Sequence, residues 1–223
     1  MQIIGNPRFL KSPRITWARW RLGHPAPGPI RVHPVGGFTF EDGAELTQRL
    51  TAAFGDLAGL SCLDLGAGPG ETVIARQILD IPWARLASVE AFHPYLNKLR
   101  QRQAAARRHE VLDCRIEHVF GRFRAGEFDL ALLIDVLEHF SRRDAVDLLL
   151  RLERFVNRGV VIFAPVGIVE QDELDANALQ RHRSHWLAED WSRLGYQVEV
   201  YEAFHGQLSP PATAAWAIKS WRR

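Results

Sequence analysis

The segment Cys62–Ala75, CLDLGAGPGETVIA, places three glycines within five positions, between an apolar run and a helical pattern. A glycine-rich turn from a buried strand into a helix lets the backbone come close to a ligand. Its spacing is G-x-G-x-G, whereas a dinucleotide loop reads G-x-G-x-x-G. Asp64 lies two residues before the first glycine, and Glu71 directly follows the last. Because acidic groups repel a pyrophosphate, the loop favours a ligand with cationic groups and no phosphate.

From Glu41 onward, apolar runs typical of buried strands alternate with helical patterns. Such alternation predicts a parallel sheet with helices on both faces. The predicted strands are LSCLDLG, RLASVEAF, CRIEHVF, FDLALLID and GVVIFAP, followed by QVEVYEAF and ATAAWAIKSW. The last two are joined by HGQLSPP, which is too short for a crossover helix, so they should pair antiparallel. The sequence therefore predicts a Rossmann-like α/β fold with a seven-stranded, mostly parallel sheet.

Helices are predicted between these strands. One spans residues 93–108 and has a basic outer face, which is more typical of a solvated helix surface than of a nucleic-acid site. Another begins near Glu71 and should turn Val73 and Ile74 inward. Ser141 and Asp144 form a capping-box pattern at the start of a third helix.

Residues 1–40 differ from the rest of the chain. They are rich in proline and carry Trp17 and Trp20 between basic residues. This density of proline excludes a long helix. The aromatic residues favour an ordered cap or a short hairpin over a disordered basic arm. Residues 41–223 are then the main domain.

Composition and charge argue against several classes of protein. A formal net charge of +2 gives no global electrostatic case for binding nucleic acid or a membrane. No apolar stretch is long enough to span a bilayer, and the N-terminus lacks the pattern of a signal peptide, so a cytoplasmic location is expected. The only cysteines, Cys62 and Cys114, are far apart, which argues against a zinc site or a disulfide framework.

Three segments together resemble the class I S-adenosylmethionine-dependent methyltransferases: LDLGAGPG at 63–70, SVEAF at 88–92 and IDVLEHF at 134–140. The resemblance implies the strand order 3-2-1-4-5-7-6 with the last strand antiparallel, and S-adenosyl-L-methionine as the cofactor. It also implies that Glu90, at the end of the second strand, accepts hydrogen bonds from the ribose hydroxyls. The implied cofactor-binding residues are Asp64, Gly66, Ala67, Gly68, Gly70, Glu90, Ala91 and Asp135.

One departure from the family concerns the adenine. Many members carry an aspartate after strand three that contacts this base. With strand three placed at CRIEHVF, Gly121 and Arg122 stand at that position. Either Arg122 or a backbone group then takes over the contact, or the affinity for the cofactor is reduced.

The candidate catalytic residues are His139, His182 and Asp135. His139 lies just beyond strand four, at the edge of the sheet where such folds bind ligands, and histidine is suited to act as a general base near neutral pH. The alternative is a structural histidine that anchors the next loop. Asp135 is expected to line the cofactor site or to polarise the substrate.

The long loop after strand five, VGIVEQDELDAN, resembles a substrate lid. His182, Arg183, His185 and Trp186 would then face the substrate. In the alternative interpretation, Ser184 caps a helix and Trp186 packs in the core. His182 and His185 are spaced for metal ligation, but no third ligand is apparent, so no metal is expected.

The function expected from the sequence is methyl transfer from S-adenosylmethionine to a small-molecule acceptor. Three alternatives stay open: a non-catalytic, cofactor-binding partner subunit, an RNA methyltransferase, and an oxidoreductase that uses a nicotinamide dinucleotide. Nothing in the sequence identifies the acceptor or the atom that is methylated, and the oligomeric state is also open.

Overall fold

A computed structural model describes residues 26–205 and 211–221. Its centre is one eight-stranded sheet in the order β1-β7-β8-β6-β5-β2-β3-β4. The strands are β1 Ile30–His33, β2 Ser61–Leu65, β3 Arg85–Glu90, β4 His109–Asp113, β5 Leu130–Ile134, β6 Gly159–Val166, β7 Gln197–His205 and β8 Ala212–Ser220.

Six of the seven predicted strands form where the sequence predicted them, the third forms at a different segment, and the seven together follow the predicted order 3-2-1-4-5-7-6. Strands β4, β3, β2, β5 and β6 are neighbours and all parallel, and β8 lies antiparallel between β6 and β7. The eighth strand, β1, was not predicted; it pairs parallel with β7 and forms one edge of the sheet. Because β2, β3, β4 and β5 are parallel, their carboxyl ends lie along the same side of the sheet. The loops that follow these strands therefore come together there.

Seven α-helices cover the sheet within the described residues. They are α1 Phe40–Ala44, α2 Leu46–Phe54, α3 Val73–Asp80, α4 His93–Leu99, α5 Val119–Arg122, α6 Arg142–Phe155 and α7 Ala188–Arg193. At α6 the predicted capping box forms in part: the Ser141 hydroxyl accepts a hydrogen bond from the Asp144 amide at 3.2 Å, whereas the Asp144 carboxylate accepts from the Ser141 hydroxyl at 2.6 Å. At α3 the prediction holds in part: Ile74 is buried, but Val73 is 44% exposed.

Two hydrophobic cores lie on opposite faces of the sheet. Helices α6 and α7 contribute to the core on one face, and α2 and α3 contribute to the core on the other. Strands β2, β5 and β6 supply buried side chains to both cores, which explains why their sequences are almost continuously apolar.

The third predicted strand was placed wrongly. Strand β4 is His109–Asp113, paired with β3, whereas most of CRIEHVF forms a short 3-10 turn and α5. The helix before it is also shorter than predicted, ending at Leu99. After that point the amides of Ala105 and Arg107 donate to the carbonyls of Leu79 and Trp83, at 2.7 and 2.8 Å. These tertiary bonds replace further helical turns and deliver the chain into β4.

The N-terminal region is described from residue 26 onward. Its residues 30–33 extend the sheet, and the Gly28 amide donates to the Ser192 carbonyl of α7 at 2.9 Å. A strand at the edge of a sheet has backbone N–H and C=O groups without partners. By pairing with β7, β1 provides partners along the side of β7 that faces away from β8. The predicted role of residues 1–40 as a cap falls largely on residues 1–25, which lie outside the described residues.

We expect Trp216 of β8 to be a principal stabilising side chain. It is fully buried, and its indole N–H donates to the Gly43 carbonyl at 2.7 Å. Trp216→Ala should lower the free energy of unfolding by about 3–5 kcal/mol through loss of buried area. Trp216→Phe keeps most of that area but leaves the carbonyl without its donor, at a cost of about 1–3 kcal/mol. Urea unfolding measures both, and equal small losses would contradict this assignment.

Candidate active site

The loop between β2 and α3 turns through three glycines with left-handed backbone. Gly66, Gly68 and Gly70 have φ values of +74°, +61° and +70°. A Cβ atom at Gly66 would lie 2.8 Å from Val136, and one at Gly70 would lie 3.2 Å from Leu79. At Gly68, by contrast, a Cβ atom would meet no described atom within 4 Å. The outer glycines are therefore required by packing, whereas Gly68 borders open space.

Glu90, the last residue of β3, holds this loop in place. Its carboxylate accepts hydrogen bonds from the Gly68 amide at 2.9 Å and from the Phe92 amide at 2.7 Å. The Gly66 and Ala67 amides both donate to the Val89 carbonyl of the same strand, at 2.9 and 3.0 Å. Burial raises the pKa of Glu90, and the hydrogen bonds from the Phe92 and Gly68 amides lower it.

Asp64, in β2, is a second buried acid at the loop. It is 5% exposed. Burial, together with the nearby charge of Glu90, raises the pKa of Asp64 to about 7. A cationic group bound in front of the loop would relieve this repulsion and favour the ionised carboxylate.

Two adjoining cavities open along this edge of the sheet. The first, here called the β4-side cavity, has a volume of about 450 Å³ and is lined by residues such as Glu90, Ala91 and Ile116. The second, here called the glycine-loop cavity, has a volume of about 410 Å³ and contains Asp64 and the glycine turn. The two share the lining residues Gly66, Asp135, His139 and Gln180. All the cofactor-binding residues predicted from the sequence line one cavity or both.

The residues that follow strand three differ from those predicted. Because β4 ends at Asp113, the segment that follows it and lines the β4-side cavity is Cys114–Glu117. Gly121 and Arg122 lie farther along, in α5. Gly121 and Arg122 therefore do not directly follow strand three; that strand ends at an acidic residue, Asp113, which lines neither cavity.

Asp135, Glu138 and His139 follow β5 directly. Asp135 has a φ of +52°, and its amide donates to the Phe163 carbonyl of β6 at 2.8 Å. This left-handed residue turns the chain into the 3-10 turn Leu137–His139. Burial raises the pKa of Asp135 to about 7 and also raises that of Glu138. Burial and the adjacent His182 lower the pKa of His139 to about 4, so this imidazole is neutral at physiological pH.

The segment after β6 returns to this turn. The Arg183 and Ser184 amides donate to the Glu138 carbonyl at 2.7 and 3.1 Å, and the Ser184 hydroxyl donates to the Leu137 carbonyl at 3.2 Å. These bonds place the ring of His182 with its centroid 5.2 Å from that of His139. Two predicted catalytic residues that are distant in sequence are therefore neighbours.

Of the four residues predicted to face the substrate, two line the cavities. His182 and Arg183 line the cavities. Trp186 is fully buried and stacked on Trp191, as the alternative interpretation proposed. His185 is exposed and lines neither cavity.

Sequence reasoning missed Tyr95, which lines the glycine-loop cavity. Its hydroxyl donates to Asp175 in the lid segment, and burial together with this bond raises the pKa of Tyr95 to about 12. A tyrosine on the apolar face of a predicted helix is expected to pack in the hydrophobic core. No local sequence pattern therefore identifies Tyr95 as a residue of the site. Arg115 and Gln180 also line the site without a sequence signal.

Comparison with known proteins places this geometry in context. Residues 63–164 match the model of a family described as "Methyltransferase domain". No curated protein matches the sequence. Among the described residues, no helix is long and apolar enough to cross a membrane.

Proteins whose solved structures have a similar fold are named for different reactions. Magnesium protoporphyrin IX methyltransferase (ChlM) from Synechocystis PCC 6803, with bound SAH, is 13% identical, with a TM-score of 0.52 over 81% of this chain and 82% of that one. The [4+2]-cyclase SpnF is 11% identical, with a TM-score of 0.56 over 82% of each chain. The small RNA methyltransferase HEN1 is 18% identical, with a TM-score of 0.51 over 79% of this chain and 26% of that one. The resemblance to class I methyltransferases is thus confirmed for the fold and for the matched segment.

Asp64→Asn should change how stability depends on pH in the ligand-free protein. The pKa of Asp64 is about 7 in the folded state, against an ordinary value of 3.8, so between these values the folded state holds one more proton than the unfolded chain. The free energy of unfolding of the wild type should therefore fall relative to that of the variant as pH rises from about 4 to about 7, by up to about 4 kcal/mol. Urea unfolding across this range measures the difference; a constant difference would contradict it.

Proposed function

We propose that this protein is a methyltransferase that binds S-adenosyl-L-methionine across the two adjoining cavities and methylates a small-molecule acceptor. The observation that carries the proposal is the arrangement of Glu90 and Gly68. The buried carboxylate of Glu90, at the end of β3, accepts a hydrogen bond from the Gly68 amide. Gly68 is the central glycine of the turn and borders open space. This combination suits a ribose and a cationic amino-acid moiety.

The residues fit this cofactor in both charge and shape. Glu90 would accept hydrogen bonds from the ribose hydroxyls, and the segment Cys114–Glu117 would border the adenine. Asp64, with its raised pKa, would gain a cationic partner in the amino group of the methionine moiety. When bound, the cofactor supplies an electrophilic methyl group on a sulfonium centre.

The protein's own contribution to the reaction is to position the acceptor and exclude water. Tyr95, His139, His182 and Gln171 line the glycine-loop cavity, and Tyr95 also bonds to Asp175 of the lid segment. Holding an acceptor atom in line with the methyl group accounts for most of the rate enhancement that such a site can provide. The charge of the sulfonium is lost in the reaction, so no new cation needs stabilising.

A second candidate is a protein that binds the cofactor but does not transfer its methyl group. The observation that favours it is the position of His139, which is partly buried with its ring centroid 5.2 Å from that of His182; this setting lowers the pKa of His139 to about 4 and makes it a weak general base. The fold also occurs in the cyclase SpnF. Turnover separates the two: a methyltransferase forms S-adenosylhomocysteine in step with a methylated product, and the second candidate binds cofactor without forming either.

Calorimetric titration with S-adenosylmethionine, S-adenosylhomocysteine and NADH tests the cofactor. We expect the first two to bind and NADH not to bind. Glu90→Ala should weaken binding at least about tenfold, because it removes charge-assisted hydrogen bonds. The matched control is Glu189→Ala, which removes an exposed glutamate on α7. This variant should bind S-adenosylmethionine and S-adenosylhomocysteine as the wild type does. Binding of NADH, or equal weakening in both variants, would refute the proposal.

Gly68→Ala tests the open space at the turn. The substitution carries a strain of about 1 kcal/mol from its positive φ, and its methyl group would occupy the space proposed for the cofactor. We expect a folded protein that no longer binds S-adenosylhomocysteine. Gly36→Ala is the control, since Gly36 has a φ of +77°, no described atom within 4 Å of a Cβ atom, and lines neither cavity. If Gly68→Ala bound normally, the proposed position of the cofactor would be wrong.

A further inference from the structure

Three side chains that could bind a metal ion meet at the boundary of the two cavities. Glu138, His139 and His182 each offer one ligand atom, and these atoms all lie within 4.8 Å of one another. Two come from the turn after β5, and the third comes from the lid segment after β6. The sequence spacing indicated only His182 and His185 as a possible pair of metal ligands. In the structure the histidine that lies beside His182 in this cluster is His139, and Glu138 adds a carboxylate.

The polar atoms of this cluster are buried and incompletely partnered. Glu138 is 2% exposed, and its Oε2 atom has no hydrogen-bond partner. The Nδ1 atom of His139 is also buried without one. Within residues 26–205 and 211–221, Glu138 forms no ion pair with a lysine or an arginine. A buried carboxylate normally requires a partner, and here the adjacent groups are two imidazoles and the carboxylate of Asp135.

His182 is already oriented as a metal ligand. Its Nδ1 atom lies 2.6 Å from the Val169 carbonyl. Since a carbonyl only accepts, Nδ1 carries the proton, and the lone pair is on Nε2. An imidazole that donates one N–H to a carbonyl and offers its other nitrogen is the usual arrangement around a bound metal. The lid segment therefore fixes both the position and the tautomer of this residue.

We propose that Glu138, His139 and His182 bind one divalent transition-metal ion, with an open coordination position toward the glycine-loop cavity. Two imidazoles and a carboxylate suit Mn²⁺, Co²⁺ or Zn²⁺, whereas Mg²⁺ and Ca²⁺ prefer oxygen ligands throughout. All three residues line the glycine-loop cavity, so the open position faces the space available to an acceptor. Asp135, which lines the same cavity, provides a further carboxylate nearby.

This site also specifies a class of acceptor, an inference that rests on the proposed methyl transfer. A metal ion with an open position binds a hydroxyl oxygen and makes its proton more acidic. The proton leaves to solvent water, an oxygen electron pair forms the bond to the methyl carbon, and the pair of the carbon–sulfur bond returns to sulfur. The products are a methyl ether and S-adenosylhomocysteine. The acceptor is therefore an alcohol or a phenol, and the two histidines act as ligands instead of as bases.

Metal titration of the whole chain, residues 1–223, tests the site. The chain is treated with a chelator, dialysed, and titrated with Mn²⁺, Co²⁺, Zn²⁺ and Mg²⁺ by calorimetry, with visible absorption followed for Co²⁺. We expect one ion per chain for the transition metals and weaker binding of Mg²⁺. His139→Ala, His182→Ala and Glu138→Gln should each weaken binding at least about tenfold. His185→Ala is the matched control and should bind as the wild type does.

The outcomes separate this site from the proposed function. S-adenosylhomocysteine binding and thermal unfolding, measured on each variant, show whether it is folded. The metal site is refuted if the wild type binds no ion, or if His185→Ala loses as much affinity as His139→Ala and His182→Ala. Metal binding without S-adenosylhomocysteine binding would leave the site standing and refute the proposed function; the reverse result would refute only the site.

Discussion

The hydrogen bond from the Gly68 amide to the Glu90 carboxylate joins the glycine loop after β2 to the last residue of β3, and the site depends on this link. It requires a left-handed backbone at Gly68, which glycine adopts without the steric penalty of a Cβ atom. It also requires a carboxylate at the last position of β3. Together with the bonds from the Gly66 and Ala67 amides to the Val89 carbonyl, it ties the glycine loop to β3, and residues of this loop line both cavities.

Four acidic side chains gather at this edge of the sheet. Asp64, Glu90, Asp135 and Glu138 are all at or just beyond strand ends, and burial raises the pKa of each. Such groups destabilise a ligand-free fold, because ionised carboxylates lose hydration and repel one another. The two proposals place a cation in each half of this region: the cofactor's cationic groups beside Asp64, and a metal ion beside Glu138. A site built this way gains stability from its ligands, and its two sets of acids serve different parts of one reaction.

The parts of the fold that sequence reasoning predicted correctly are those with a strong local signal. The glycine turn, the acid that ends β3 and the N-cap of α6 depend on residues close together in the chain. The errors occurred where a local pattern met a tertiary constraint. CRIEHVF alternates as a strand does, yet the neighbouring HEVLD pairs with β3, and the helix before it ends early because its following amides bond to Leu79 and Trp83. Val73 matched the helical period but lies at the first helical position, where it is exposed.

What the sequence determined by itself is the parallel α/β architecture, the order of its seven main strands through family resemblance, and the chemistry of the glycine loop. These follow from hydrophobic periodicity and from residue types with unusual backbone or charge requirements. Only the tertiary structure decided that β1 extends the sheet, that Tyr95 reaches Asp175, and that His182 lies against His139 and Glu138. Each of these contacts joins segments distant in sequence, and their meeting depends on the course of loops whose path is set by hydrogen bonds to other elements.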